Sequence, residues 1–303
     1  MYERKDIPSM DPRYEKPLEH RKIRALLVGC GKMGRNHLRV LQEHPRFEVV
    51  GIVDPLRGES GFEHYRHLNT SIPRPDVAIV ATPPETHMSL ASQLAGRSIP
   101  TLIEKPIATE EAGLAIAPSW WRWLVVGHIE RFNPAVQALR ECLAHIGEVH
   151  RVVATRIGSP PPETGREIGC TLDLAIHDID VCRFLFGPMR VDSADCNRDA
   201  CAIRLLSHNG IDVEVRAGWG DGEKVRTLVV EGERGTLALN YTNQTIDADG
   251  ETIAVKKSEP LRAELDALGD FVATGKRGDL CSPEDAFAAV TLARHAMDRH
   301  GFV

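Results

Sequence analysis

Hydrophobic and polar positions follow two regimes along this chain. Up to about residue 128, apolar runs at 23–28, 47–53, 77–82, 101–104 and 124–127 are separated by mixed segments, most of them long enough for crossover helices. Short continuous apolar runs suit strands buried on both faces, so this half reads as a doubly wound parallel sheet. One crossover is unusual. Between Asp54 and Asp76, Pro55, Gly58, Gly61, Pro73 and Pro75 interrupt any long helix and predict a short, irregular connection.

Beyond residue 147 the runs become alternating strands with turn punctuation, at 149–157, 202–206, 211–219, 225–231 and 236–241, with His208-Asn209-Gly210 a hairpin signal. This pattern predicts an open, mostly antiparallel sheet with one face on its own helices and the other available to a second copy of the chain. Two helices are expected near the end, at about 260–275 and 283–299. The second starts with Ser282 as cap, Pro283 in the first turn and the early acids Glu284 and Asp285. Residues 1–20 are polar, hold three prolines and lack periodicity, as an extension outside the core would. The expected division is therefore 1–20 as extension, 21–128 as a Rossmann domain and 129–303 as an α+β domain that binds substrate and builds an oligomer.

Composition narrows the class. A length of 303 residues with 42% hydrophobic and 26% charged content suits two globular domains. The net charge of −6 and scattered basic residues argue against nucleic-acid binding. Neither a long apolar span nor a signal-type N-terminus is present, so a cytoplasmic protein without membrane contact is expected. The seven cysteines never form Cys-x-x-Cys, which favours reduced thiols over a disulfide framework or a zinc cage.

The first strand runs directly into Gly29-Cys30-Gly31-Lys32-Met33-Gly34, a Gly-x-Gly-x-x-Gly turn opening a helix. Such a turn brings backbone amides and a helix N-terminus to a pyrophosphate, so these six residues are candidate dinucleotide contacts. Asp54, 20 residues past Gly34, ends the next strand and is placed to accept ribose hydroxyls and repel a 2′-phosphate, which favours NAD over NADP. Arg57 pulls the other way if it meets a 2′-phosphate. Cys30 sits where a thiol pKa can fall, although a small residue tolerated in the turn is the simpler reading. Thr82, Pro83 and His87 follow the third strand and border the expected nicotinamide side.

Three further groups carry chemistry. Glu104-Lys105-Pro106 ends the fourth strand, at the carboxyl edge where open α/β sheets bind ligands. A lysine there can stabilise an alkoxide or donate a proton, or be a surface residue. In the segment 171–187, Asp173, His177 and Asp180 fall at i, i+4 and i+7 and form a polar stripe on an otherwise apolar helix. Asp173 would then orient His177 and raise its basicity; a structural pair is the alternative, and no third ligand supports a metal. Finally, 127–134 places His128, Arg131 and Asn133 at the end of the fifth strand, with Asn133-Pro134 a ready helix cap. Trp120, Trp121 and Trp123, just before that strand, read as packing residues.

Together, 29–34, 104–106 and 173–178 resemble the glucose–fructose oxidoreductase / inositol dehydrogenase (Gfo/Idh/MocA) family over nearly everything past residue 20. The resemblance implies NAD as cofactor, Lys105, Asp173 and His177 as the catalytic group, and an open sheet that makes oligomer contacts. Within the family, 127–134 and 155–158 look most like UDP-N-acetylglucosamine 3-dehydrogenases, whose keto product an aminotransferase can convert to a 3-amino sugar for lipid A. That likeness makes His128, Arg131, Asn133, Arg156, Arg166, Asp173 and His177 candidate substrate contacts, the arginines for a diphosphate. A dehydrogenase acting on another sugar, a UDP-sugar acid or inositol, and an NAD-dependent glycosidase, are the alternatives.

Overall fold

A computed structural model describes residues 21–298, apart from 57, 60, 111–117 and 162–165. The extension 1–20 and Arg57 thus lie outside the described residues. The chain folds into two compact units. One holds the described residues to Glu104, the strand ending at Gly127, and Leu261–Ser282; the other holds Lys105 to residue 110, His128–Pro260 and the helix from Pro283.

The first unit is a six-stranded parallel sheet of β1 (Ile23–Val28), β2 (Phe47–Val53), β3 (His64–Tyr65), β4 (Val77–Val80), β5 (Thr101–Glu104) and β6 (Leu124–Gly127). Its order, β3-β2-β1-β4-β5-β6, is that of a dinucleotide-binding sheet. The strands read as continuous apolar runs because both faces are covered; every residue of β4 is buried. Helices α1 (Lys32–Glu43) and α2 (Pro84–Gly96) are two of the crossovers, while the irregular stretch after Asp54 contributes only the short edge strand β3. The expected boundary at 128 is too simple. The helix Pro260–Thr274 belongs to this unit, where Asp266 meets the buried His44 at 2.8 Å and Asp270 pairs with Arg46 at 2.9 Å.

The second unit is built on an eight-stranded sheet: β7 (Val149–Gly158), β8 (Met189–Cys196), β9 (Ala200–Ser207), β10 (Asp212–Trp219), β11 (Val225–Gly232), β12 (Gly235–Asn240), β13 (Thr245–Ala248) and β14 (Glu251–Ile253). The order is β14-β13-β12-β11-β7-β10-β9-β8, antiparallel except where β7 meets β10. Strand β8 is not legible in the sequence because only Val191 and Cys196 of its eight residues are buried. Helices α3 (Pro134–Cys142) and α4 (Ile176–Phe186) belong here; with Pro260–Thr274 as α5, the last helix is α6 (Pro283–Asp298). A π-helical turn, Thr171–Ala175, leads into α4, and Gly187 ends it in the left-handed region at φ +82°. All seven cysteines are free thiols. Among the described residues, no helix is long and apolar enough to cross a membrane.

Candidate active site

The glycine-rich turn in the first unit combines two internal constraints with one opening. Gly29 has φ +94°, and a Cβ there would lie 2.5 Å from the Ala81 carbonyl oxygen at the end of β4. A Cβ on Gly34 would collide with the Gly29 carbonyl. Gly31 is different: nothing among the described residues lies within 4 Å of where its Cβ would sit. The space beside it is open, and α1 begins there with neither a side-chain cap nor an acid in its first turn. Open space beside free helical amides fits a dinucleotide pyrophosphate. Lys32 is exposed and Met33 half-buried at this rim.

Asp54 braces the turn through both carboxylate oxygens, one accepting from the Cys30 amide at 2.8 Å and the other from the Leu56 amide at 2.9 Å. Cys30 is fully buried, and burial, with the Glu59 carboxylate behind it, raises rather than lowers its thiol pKa. The helix-terminus effect considered for Cys30 is therefore outweighed by desolvation. Glu59, missed in the sequence, adds its negative charge to that of Asp54 around Cys30.

Two other expected cofactor contacts turn inward. His87 is buried, with Nε2 2.9 Å from the Thr82 carbonyl oxygen, and so shapes the loop from within. Glu104 is buried too, 2.6 Å from His37 Nε2 on α1. Thr82 and Pro83 remain accessible, the Thr82 hydroxyl sharing a hydrogen bond of 2.6 Å with Thr86.

In the second unit, the Lys105 ammonium donates to the Asp173 backbone carbonyl at 2.7 Å and to its carboxylate at 3.2 Å. The other carboxylate oxygen accepts from the Trp219 indole at 3.2 Å. Asp173 therefore serves Lys105, not His177. The expected Asp173–His177 pair assumed an α-helical i, i+4 spacing, whereas residues 171–175 form a π turn whose i→i+5 geometry rotates Asp173 away. His177 is tuned in the opposite direction to that expected. Burial, then the positive charges of Lys105, Arg156, His128 and Arg226, hold its pKa well below the ordinary histidine value. Its Nδ1 is buried without a hydrogen-bond partner among the described residues, which leaves Nε2 as the ring nitrogen open to a ligand. The Lys105 and Asp173 side chains keep 17% and 28% of their exposure, enough for a solute to reach them.

Most of the expected diphosphate ligands are internal. Arg156 is buried, donating to Asp178 at 2.6 and 3.1 Å and to Glu130 at 2.9 Å, with its guanidinium over the Tyr241 ring. Burial opposes its charge, but the two carboxylates prevail and raise its pKa above the usual arginine value. Arg131, also buried, forms a bidentate pair with Asp180 at 2.8 and 2.6 Å. Asn133 caps α3 by accepting from the Ala135 amide at 3.1 Å, and donates to Glu130 and the Tyr241 carbonyl. His128 is 2% exposed and 3.5 Å from Asp180. These four hold the unit together instead of facing a ligand. Half-buried Arg166 donates Nε to the Pro161 carbonyl at 3.1 Å, beside residues 162–165, which are outside the described set. Trp219 and Arg226 went unnoticed in the sequence; each lies in a strand of mixed polar and apolar residues, where nothing local sets it apart.

The family model for Gfo/Idh/MocA proteins, an oxidoreductase family with an NAD-binding Rossmann fold, matches residues 23–116. The UDP-N-acetylglucosamine 3-dehydrogenase of Acidithiobacillus ferrooxidans is 30% identical over 243 residues, 74% of this chain and 76% of that one. Inositol 2-dehydrogenase 1 of Saccharopolyspora erythraea is also 30% identical, over 319 residues, 89% of this chain and 92% of that one. A solved structure of the Acidithiobacillus enzyme superposes with a TM-score of 0.79 at 21% identity, covering 91% of this chain and 96% of the other.

Proposed function

This chain belongs to the Gfo/Idh/MocA family of NAD-binding oxidoreductases, and on that footing we propose that it oxidises the C3 hydroxyl of UDP-N-acetylglucosamine to a ketone. One observation carries the chemistry: an ammonium clamped by Asp173 stands in the same unit as an imidazole kept neutral by its surroundings. The glycine turn and Asp54 would hold NAD, which would supply the hydride acceptor. Lys105 offers a positive donor to the oxygen as it gains alkoxide character. His177, neutral at physiological pH, takes the hydroxyl proton at Nε2. Asp173 and Trp219 are positioning residues; they fix where the Lys105 ammonium stands.

The 3-dehydrogenase relative supports the nucleotide sugar, and the inositol dehydrogenase, equally similar in sequence, supports a polyol as the second reading. A 3-keto sugar nucleotide is a natural substrate for an aminotransferase, so a transamination step is the reaction class expected to consume the product. NADH formation on UDP-N-acetylglucosamine, a UDP-sugar acid and myo-inositol tests the substrate. The highest kcat/KM for UDP-N-acetylglucosamine, with the UDP linkage intact and the ketone at C3, is the expected result. Preference for myo-inositol would replace this reading with the polyol one, and cleavage of the linkage without net NADH would indicate a glycosidase.

A further inference from the structure

Four cations lie in or beside the group that surrounds His177, and three are committed. Lys105 is held by Asp173, Arg131 by Asp180, and Arg156 by Asp178 and Glu130. The side chain of the fourth, Arg226, makes no hydrogen bond or ion pair with any of the described residues, although it is half-buried. Its direction follows from register. Arg226 stands opposite Arg156 in the β11–β7 pairing, so its side chain leaves the sheet on the inner face, with Leu228 and Val230.

The same face is bare next to it. Gly158, two residues beyond Arg156 on β7, pairs with Trp219 on β10, and nothing among the described residues lies within 4 Å of where its Cβ would sit. Among the described residues, a gap is thus left over Gly158 between the Trp219 indole, which bonds Asp173, and the diagonal neighbour Arg226. A half-buried guanidinium without a counter-ion is unfavourable in the empty protein, and its planar fork suits a phosphate or carboxylate.

We propose that the gap over Gly158 is a subsite for an anionic group carried by the sugar substrate, with Arg226 as its counter-ion and Trp219 as its wall. The inference rests on the reading of this unit as the sugar-binding one, and it selects charged sugars over neutral polyols. Phosphate and carboxylate share the recognising chemistry, so the test separates them.

NADH formation is measured for two pairs, N-acetylglucosamine 1-phosphate against N-acetylglucosamine and glucuronate against glucose, together with UDP-N-acetylglucosamine, in wild type, Arg226→Gln and Arg226→Lys. Wild type is expected to favour the charged member of at least one pair, which identifies the anion. Arg226→Gln should lower kcat/KM for that substrate about 10–100-fold, mostly through KM, the size of a lost charged hydrogen bond; Arg226→Lys should recover part of it. Inorganic diphosphate should compete with that substrate less well in Arg226→Gln. Wild type with no preference for charge, or a glutamine variant whose KM is unchanged or whose losses fall equally on charged and neutral sugars, would overturn the subsite. The two readings fail separately. UDP-N-acetylglucosamine oxidised with the same KM by Arg226→Gln removes the subsite and leaves the proposed function, whereas another anionic sugar as best substrate does the reverse.

Discussion

His177 is where the chemistry is most exposed to experiment. A histidine that must be neutral to accept a proton, and whose pKa is held down by burial and neighbouring cations, stays active at pH values where an ordinary histidine is already charged. The acid limb of kcat/KM should therefore lie below the ordinary histidine range, as pH profiles of the free enzyme can check. His177→Asn and Lys105→Ala should each lower kcat by about 10²–10⁴, and their combination should cost less than the product of the single effects. Asp173→Ala should add little to Lys105→Ala but more to His177→Asn, because Asp173 touches the lysine and not the imidazole. Arg156 makes the contrasting case. Arg156→Met would strand the buried carboxylates of Asp178 and Glu130, so the expected loss is about 3–5 kcal/mol in chemical denaturation, and the variant should fail by unfolding rather than by a raised KM.

Among the elements, α5 carries the least expected group. Glu264 is completely buried on it, and neither carboxyl oxygen has a hydrogen-bond partner among the described residues. Burial, reinforced by the Glu104 charge, pushes its pKa well above the usual carboxyl value, so folding favours its neutral form. A raised folded value means that its contribution to stability is fully present below the unfolded value and is lost as pH rises through the folded one. Glu264→Gln removes that loss. Thermal unfolding measured across pH should therefore show the variant gaining on wild type as the solution becomes more alkaline, and parallel curves would refute a protonated Glu264.

For the whole molecule, the outer face of the eight-stranded sheet is the surface that association should use. In register, Val153 faces Val229 and Thr155 faces Thr227, all half-buried, while Arg151, Arg204 and Arg216 pair with Asp212 and Glu214 on the same face, towards the β9 side of the strand order. Helices cover the inner face alone, so a small-residue patch flanked by satisfied ion pairs suits a second copy. Sedimentation should find a dimer or tetramer, and Val153→Glu with Val229→Glu should shift it towards monomer by setting like charges against each other. A wild type that stays monomeric at every concentration would refute the interface.

Features that depend on a few adjacent residues are legible in the chain itself. The glycine turn, the five buried parallel strands, the Asn133 cap and the bounds of α6 each follow from local sterics and periodicity. Edge strands β8 and β14, and the four-residue β13 beside β14, escape because they bury too little to show a pattern. Partner choice among charged side chains escapes for a different reason. Lys105 finds Asp173, Arg131 finds Asp180 and Arg156 finds Asp178 across 68, 49 and 22 residues of chain, and an arginine in a sequence looks the same whether its counter-ion is a buried aspartate or a ligand. Spacing alone places Asp173 beside His177; the π turn moves it to Lys105. Local sterics act within a few residues and can be read along the chain, whereas charge pairing is settled by distance and desolvation, which exist only after the sheet has brought remote residues together.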